Sequence, residues 1–361
     1  MLPTVHENGD HRGRYTLTDE NGHVWGACPT VEGFFGNHQR GTYELFGWIP
    51  ECAEIPDRPG NGVWLVPDDK ALDPWRLDDV ENLGRCRGAD SLVMRGLDEF
   101  EGPPEGYRGP VRVHNGHRWL GSCREFTRIL PAEEVPALVL RRLVPSDRLL
   151  TALATGTRRA LNLGEATLEV RADHGALLLK EVLWPKISAW APSFPGSGLI
   201  DLHLAEGTFT PVHERARPLW DQWFTGPPAS KGAWTGLDTG PRGDWLTLVR
   251  QRGCQITHRA RPAGHTYELD GRHVTDEPGL YLALGEAVNG PGGYFGGCLP
   301  ALADCLYGGF GYTAPSTLLW RDAATAREHL SRTLSPEGEE YSLFSVVLDV
   351  LAERGMSVTL A

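Results

Sequence analysis

The run Ser316–Asp322, STLLWRD, constrains the fold of its neighbourhood more than any other stretch. Its apolar residues are consecutive instead of alternating, so both faces of the strand must be covered, as in a parallel sheet flanked by helices. Parallel strands cannot be joined by tight hairpins and need crossover connections. The flanking sequence supplies them. Upstream, HTYELDGRHV reads as a strand ending near Asp270-Gly271. TDEPGLYLALGEAVNG reads as a helix capped by Thr275, with Asp276 and Glu277 at its positive end and Pro278 in its first turn. LPALADCLYGG is a second helix, stopped by glycine. TAREHLSRTL and YSLFSVVLDVLAERG are two more, the latter ended by Gly355, and MSVTLA closes as a strand. The order strand–helix–helix–strand–helix–helix–strand predicts a small α/β domain with a three-stranded parallel sheet and flanking helices over residues 259–361.

Residues 14 to 130 carry a different pattern. Short aromatic and β-branched runs, among them TYELFGW, GVWLVPDD and SLVMRGL, alternate with turn signals. Asn21-Gly22 and Asn115-Gly116 each separate two such runs, as two-residue hairpin turns require. The similar stretches NGHVWGAC and NGHRWLGSC are the common signature of such hairpins, or the trace of a duplicated subdomain. Between 131 and 258 the reading is α+β: a helix over 145–161 capped by Ser146 or Asp147, strands in ATLEVRADHGALLLKEVLWPKISAW and GLIDLHLAEGTFTPV, a long Gly- and Pro-rich loop at 224–244, and a last strand in WLTLVRQ at 245–251. The expectation is therefore a multidomain chain: a β-rich domain at 1–130, an α+β region at 131–258, either separate from it or continuous with it, and the α/β domain from 259.

Charge narrows the function. The chain has a net charge of −12, which argues against binding RNA or DNA through phosphates. From His265 onward there are 13 acidic and 5 basic residues, so a net of −8 sits on the last quarter. An acidic module favours a basic partner, although the same charge also serves solubility. Seven cysteines, an odd number without a C-x-x-C pair, support neither a disulfide framework nor a structural zinc site. Cys298 and Cys305, seven apart, are expected as small core filler. No run is long and apolar enough for a membrane span, and the first residues lack the apolar core of a signal peptide, so a cytoplasmic location is expected.

Catalytic patterns are weak. Glycines at 290, 292, 293, 296 and 297 are followed by no Gly-Lys-Ser/Thr, which argues against a phosphate-binding P-loop. His114, His117 and Cys123 have loose metal-ligand spacing that a polar hairpin turn explains as well. Asp201, His203 and Glu206 lie on a strand, with Ser193 and Ser197 nearby, but nothing links a nucleophile to a base. No catalytic residue, metal or cofactor is assigned, and the chain is expected not to be an enzyme.

The glycine-framed stretch GGYFGGCLPALADCLYGGFG, 292–311, remains. On a helix starting near Cys298, Leu299, Leu302 and Leu306 make the buried stripe. Asp304 falls roughly 200° from Leu302 and faces solvent with Pro300, Ala303 and Tyr307. A carboxylate displayed on a rigid helix can stand where a phosphate would, without offering a bond to cleave.

These residues resemble the barstar family, intracellular inhibitors of barnase-type ribonucleases. The similarity lies in the element order, the Tyr-Phe-Gly before the second helix, the core Tyr294 to Leu306, the LLW strand and the closing helix–Gly–strand. It spans the last 97 residues, about a quarter of the chain. The resemblance implies that Asp304 enters the phosphate site of a basic ribonuclease, and that Tyr294, Phe295, Gly296, Leu299 and Gly308 contact that partner. Ala303 and Tyr307 complete the face. This sequence departs from the family where Pro300 replaces an acidic residue, Ala303 a tryptophan, Cys298 an asparagine and Val350 a glutamate. The expected function is an intracellular inhibitor of, or immunity protein for, a basic barnase-like ribonuclease. The alternative is a non-inhibitory binding or scaffold protein that keeps the module, with an unassigned activity in the β-rich region.

Overall fold

The computed structural model describes residues 13–36, 40–51, 62–85, 90–98, 106–130, 137–155, 161–205 and 208–361. Two compact units emerge, each made of two segments: Met1–His38 with Val135–Pro227, and Gln39–Glu134 with Pro228–Ala361. The chain is multidomain, β-rich before residue 228 and α/β at its C-terminus. The division expected at 130/131 lies four residues from a passage between units. The division at 258/259 falls inside the second unit, and the passage at 38/39 has no counterpart in the expected division.

The first unit is built on a nine-stranded antiparallel sheet. Tyr15–Asp19 runs between Val24–Cys28 and Ala166–Arg171. The first pair is joined through residues 20–23 with Gly22 in the left-handed conformation (φ 81°), a longer turn than the two-residue Asn-Gly one expected, since Asn21 does not share the positive φ. In Ala166–Arg171 the strand period is plain, with Ala166, Leu168 and Val170 buried on one face. A helix, Asp147–Thr155, starts where Ser146 Oγ accepts the Leu149 N–H at 3.2 Å. It is shorter than the expected 145–161, since Leu161–Asn162 is already a strand. A second helix, Arg217–Thr225, which no sequence signal had marked, ends two residues into the expected loop.

The second unit opens with an eight-stranded antiparallel sheet. Its apolar side chains, among them Tyr43, Leu65, Trp75, Leu77, Met94 and Phe126, make one contiguous core. The hairpin Val111–His114/Trp119–Cys123 turns through residues 115–118 with Gly116 at φ 83°, again a longer turn than the two-residue Asn-Gly one expected.

After it comes helix α1, Thr239–Gly253, where a loop and a strand were expected. The apolar residues of WLTLVRQ lie at 245, 246, 248 and 249, and all four are buried. That spacing suits one broad helical face, whereas a half-exposed strand would alternate. Gly240, Pro241 and Gly243 belong to its first turns, where proline is accommodated and glycine is least costly.

The C-terminal domain follows the expected order: β1 (Thr266–Asp270), α2 (Glu277–Asn289), α3 (Leu299–Tyr307), β2 (Ser316–Arg321), α4 (Ala323–Leu330), α5 (Leu343–Glu353) and a final strand. Between α4 and α5 a hairpin of β3 (Thr333–Leu334) and β4 (Glu340–Tyr341) is inserted, and β5 (Met356–Leu360) ends the chain. Strands β1, β2 and β5 are parallel with β2 central. Leu318 and Trp320 of β2 are fully buried on one face, while Thr317 and Leu319 on the other are half-buried, so the second face is covered less than the STLLW run led one to expect. The cap of α2 is Asp276, one residue after the expected Thr275; its Oδ1 accepts the Gly279 N–H at 2.8 Å.

The hairpin β3–β4 meets the eight-stranded sheet. Leu334 N–H donates to Gly116 O at 2.6 Å, His114 Nε2 pairs with Pro336 O at 3.0 Å, and Gly338 lies under the Trp119 ring.

Candidate functional site

Helix α3 is short, and its position is set by glycines on either side. Gly296 has φ 90°, and a Cβ there would come within 2.8 Å of Leu302 Cα, so a side chain is excluded on both counts. Gly308 ends the helix with φ 123°. Two further residues, neither singled out by the sequence reading, tie the flanking loops together. Asn289, the last residue of α2, donates through Nδ2 to Tyr294 O at 2.7 Å and Phe310 O at 3.0 Å, clamping the loop before α3 to the loop after it. The buried carboxylate of Glu286 accepts Gly232 N–H at 2.8 Å and Gly292 N–H at 3.4 Å. Burial raises its pKa, and these N–H donors partly oppose that.

The orientation of α3 agrees with the helical-wheel reading at Asp304. Leu302, Cys305 and Leu306 are buried, while Pro300, Asp304 and Tyr307 are exposed and Ala303 is half-buried. Leu299, expected in the buried stripe, is only partly covered, and Gly308 is half-exposed. Cys298 stands exposed at the N-cap position and is not core filler; Cys305 alone fills that role, and burial pushes its thiol up to about 12. Tyr307 is 72% exposed, with the Arg354 guanidinium 3.9 Å over its ring.

The loop residues behave differently. Tyr294 is 4% exposed, Phe295 is 0% exposed, and Gly296 is buried with them. A surface contact from these three, as the resemblance implied, is not available in this conformation. Tyr294 stands edge-on to Phe310, and Phe295 edge-on to Tyr312. Helix α1 covers the tyrosine: a methyl group at Gly253 would overlap Tyr294 Cβ, and Leu246 and Arg250 border the same loop at Gly297. Burial raises the Tyr294 pKa, helped by the neighbouring Cys305 and Cys254 thiols. The α1 cover is held by an ion pair at the start of α2. Arg242 Nη1 lies 3.1 Å from Asp276 Oδ2, which also accepts the Thr239 hydroxyl at 2.8 Å, and both Arg242 and Asp276 are buried.

The family model for Barstar (barnase inhibitor) matches residues 264–352. The C-terminal domain is a barstar domain. Its match covers about a quarter of the chain and begins within the unit that also holds the eight-stranded sheet. Comparison with curated proteins and with solved structures finds no match for the chain. The barstar domain therefore carries the Asp304 helix on its surface and keeps the loop before it inside, beneath a helix from outside the matched span.

The remaining sequence candidates have structural explanations. Asp201 accepts from Ser193 Oγ at 2.6 Å, from Arg142 N–H at 2.9 Å and from Arg141 at 2.8 Å, which together hold its pKa at about 2. Serine thus meets the carboxylate directly, without a histidine between them; Glu206 lies outside the described residues. His114 is fully buried, stacked on Trp64 and edge-on to Trp119. Among the described residues no group of three or more His, Cys, Asp or Glu side chains is placed to hold a metal, and no helix is long and apolar enough to cross a membrane.

Proposed function

We propose that the barstar domain inhibits a ribonuclease with a basic phosphate site, into which Asp304 enters. One observation carries this reading: Asp304 is exposed on a helix whose place is set by Gly296, Gly308 and the Asn289 clamp. A ribonuclease must offer cations to the phosphate whose ester it cleaves. A carboxylate held rigidly at that point binds those cations, blocks RNA and presents nothing that can be cleaved. No catalysis by the inhibitor is involved. The reading places the chain in the cytoplasm, as an immunity or toxin-neutralising protein, with the β-rich segments adding contacts to the partner or positioning the module. Purified full-length chain should inhibit RNA cleavage by barnase, the probe named by the family, and Asp304→Ala should lose most of that inhibition.

Burial of Tyr294 and Phe295 under α1 favours a second reading, in which the module keeps the barstar fold for a non-inhibitory contact. No inhibition of any guanyl-type ribonuclease at micromolar protein would select this reading over the first.

A further inference from the structure

Asp304 does not face a partner alone. Tyr307 lies one turn further along the same side of α3, and Arg354 stacks over its ring at 3.9 Å. Arg354 directly follows α5, and its carbonyl accepts the Tyr312 hydroxyl at 2.8 Å, so the side chain starts from a fixed point. Among the described residues its guanidinium has no carboxylate partner. The nearby acids Asp349 and Glu353 are exposed, on turns of α5 whose buried side is Val347 and Leu351. A surface shaped only to imitate phosphate gains nothing from a guanidinium stacked on the tyrosine one helical turn from its carboxylate. That cation weakens the field that steers a basic site inward and meets like charge at the rim.

We infer that Arg354 is a specificity-determining residue of the Asp304 face: it selects a protein partner whose cationic pocket is bordered by a carboxylate, and disfavours a uniformly basic one. The inference rests on the reading of Asp304 above. Arg354, half-buried beside the exposed Tyr307, offers a planar fork suited to bidentate pairing with a carboxylate, and Tyr and Arg side chains are frequent anchors of protein interfaces.

Barnase, whose phosphate site must be basic to hold RNA, is the probe. Its binding is measured at low ionic strength with full-length wild type, Asp304→Ala, Arg354→Gln, Arg354→Glu and the Asp304→Ala/Arg354→Glu pair, each checked for an unchanged thermal transition. Removal of a repelling rim charge should tighten binding, by at least about tenfold for Arg354→Glu and less for Arg354→Gln. The gain should vanish in the double variant. Unchanged or weaker binding by Arg354→Glu overturns the inference; if Asp304→Ala is still impaired, the reading of Asp304 survives. A gain that persists without Asp304, or no binding by any variant, overturns it as well.

Discussion

His114 shows how much one side chain can fix. Its Nδ1 accepts the Gly116 N–H at 3.1 Å, so Nε2 carries the proton and donates to Pro336 O at 3.0 Å. The imidazole is therefore neutral and joins the eight-stranded sheet to the β3–β4 hairpin. Burial lowers its pKa, with Arg112 acting in the same direction and the Pro336 carbonyl and Glu337 opposing. A histidine whose folded pKa lies below its unfolded value of about 6.5 takes up protons more readily when unfolded. Stability is thus full above that value and falls as pH drops through it toward the folded pKa. Urea midpoints measured from pH 7.5 to 5 should decline more steeply for wild type than for His114→Gln. Parallel slopes would show that the ring does not titrate at this junction. In the sequence His114 showed only a loose metal-ligand spacing that a polar hairpin turn explained as well, and nothing pointed to a carbonyl more than 200 residues away.

At the scale of elements, periodicity was most informative where the sheet is parallel and covered. The parallel strand at STLLW, the glycine stop after α3 and the Pro278 start of α2 stand as expected, with the second face of that strand only half-buried. The order of the C-terminal elements was therefore legible, and so was the outward direction of Asp304. Helix α1 was not, because four buried apolar residues in a short Gly- and Pro-led segment resemble a strand until their spacing is compared with an exposed face. That omission also hid the cover over Tyr294. The cover depends on Arg242 and Asp276, each buried against the other. Removing one partner of a buried pair leaves an uncompensated charge and costs about 3–5 kcal/mol. Arg242→Ala should lose stability of that order in urea unfolding and raise hydrogen exchange across 239–253. A loss confined to a few tenths of a kcal/mol would mean that α1 is held by its apolar face alone.

The whole molecule departs most from its sequence. Each compact unit draws on two distant segments, and a chain that leaves and re-enters a unit carries no local signal of doing so. The change of pattern at 130 lies four residues from the passage at 134/135, and nothing in the composition pointed to the one at 38/39. Docking of the β3–β4 hairpin on the eight-stranded sheet was equally illegible, since it depends on Gly338 fitting beneath Trp119. Gly338 and Gly309 have nearly the same φ, 84° and 85°, but Gly309 has open space around its Cβ position. Alanine at either site incurs the same left-handed strain, and only Gly338→Ala adds overlap with the indole, an overpacking cost of about 1–3 kcal/mol. The difference between the two variants in thermal unfolding should therefore have that size. Equal losses would mean that the sheet and the barstar domain are not coupled through this contact.

The most direct test of the account compares two exposed carboxylates of the barstar domain, Asp304 on α3 and Asp349 on α5. Inhibition constants against barnase would be measured for wild type, Asp304→Ala and Asp349→Ala. Loss of a charge buried in a complementary pocket costs about 2–5 kcal/mol, whereas a rim or solvent-facing charge costs little. The account predicts that Asp304→Ala raises the inhibition constant by roughly thirtyfold or more, which is 2 kcal/mol at 1.4 per decade, while Asp349→Ala stays near wild type. Equal effects from the two substitutions, or none from either, would contradict it.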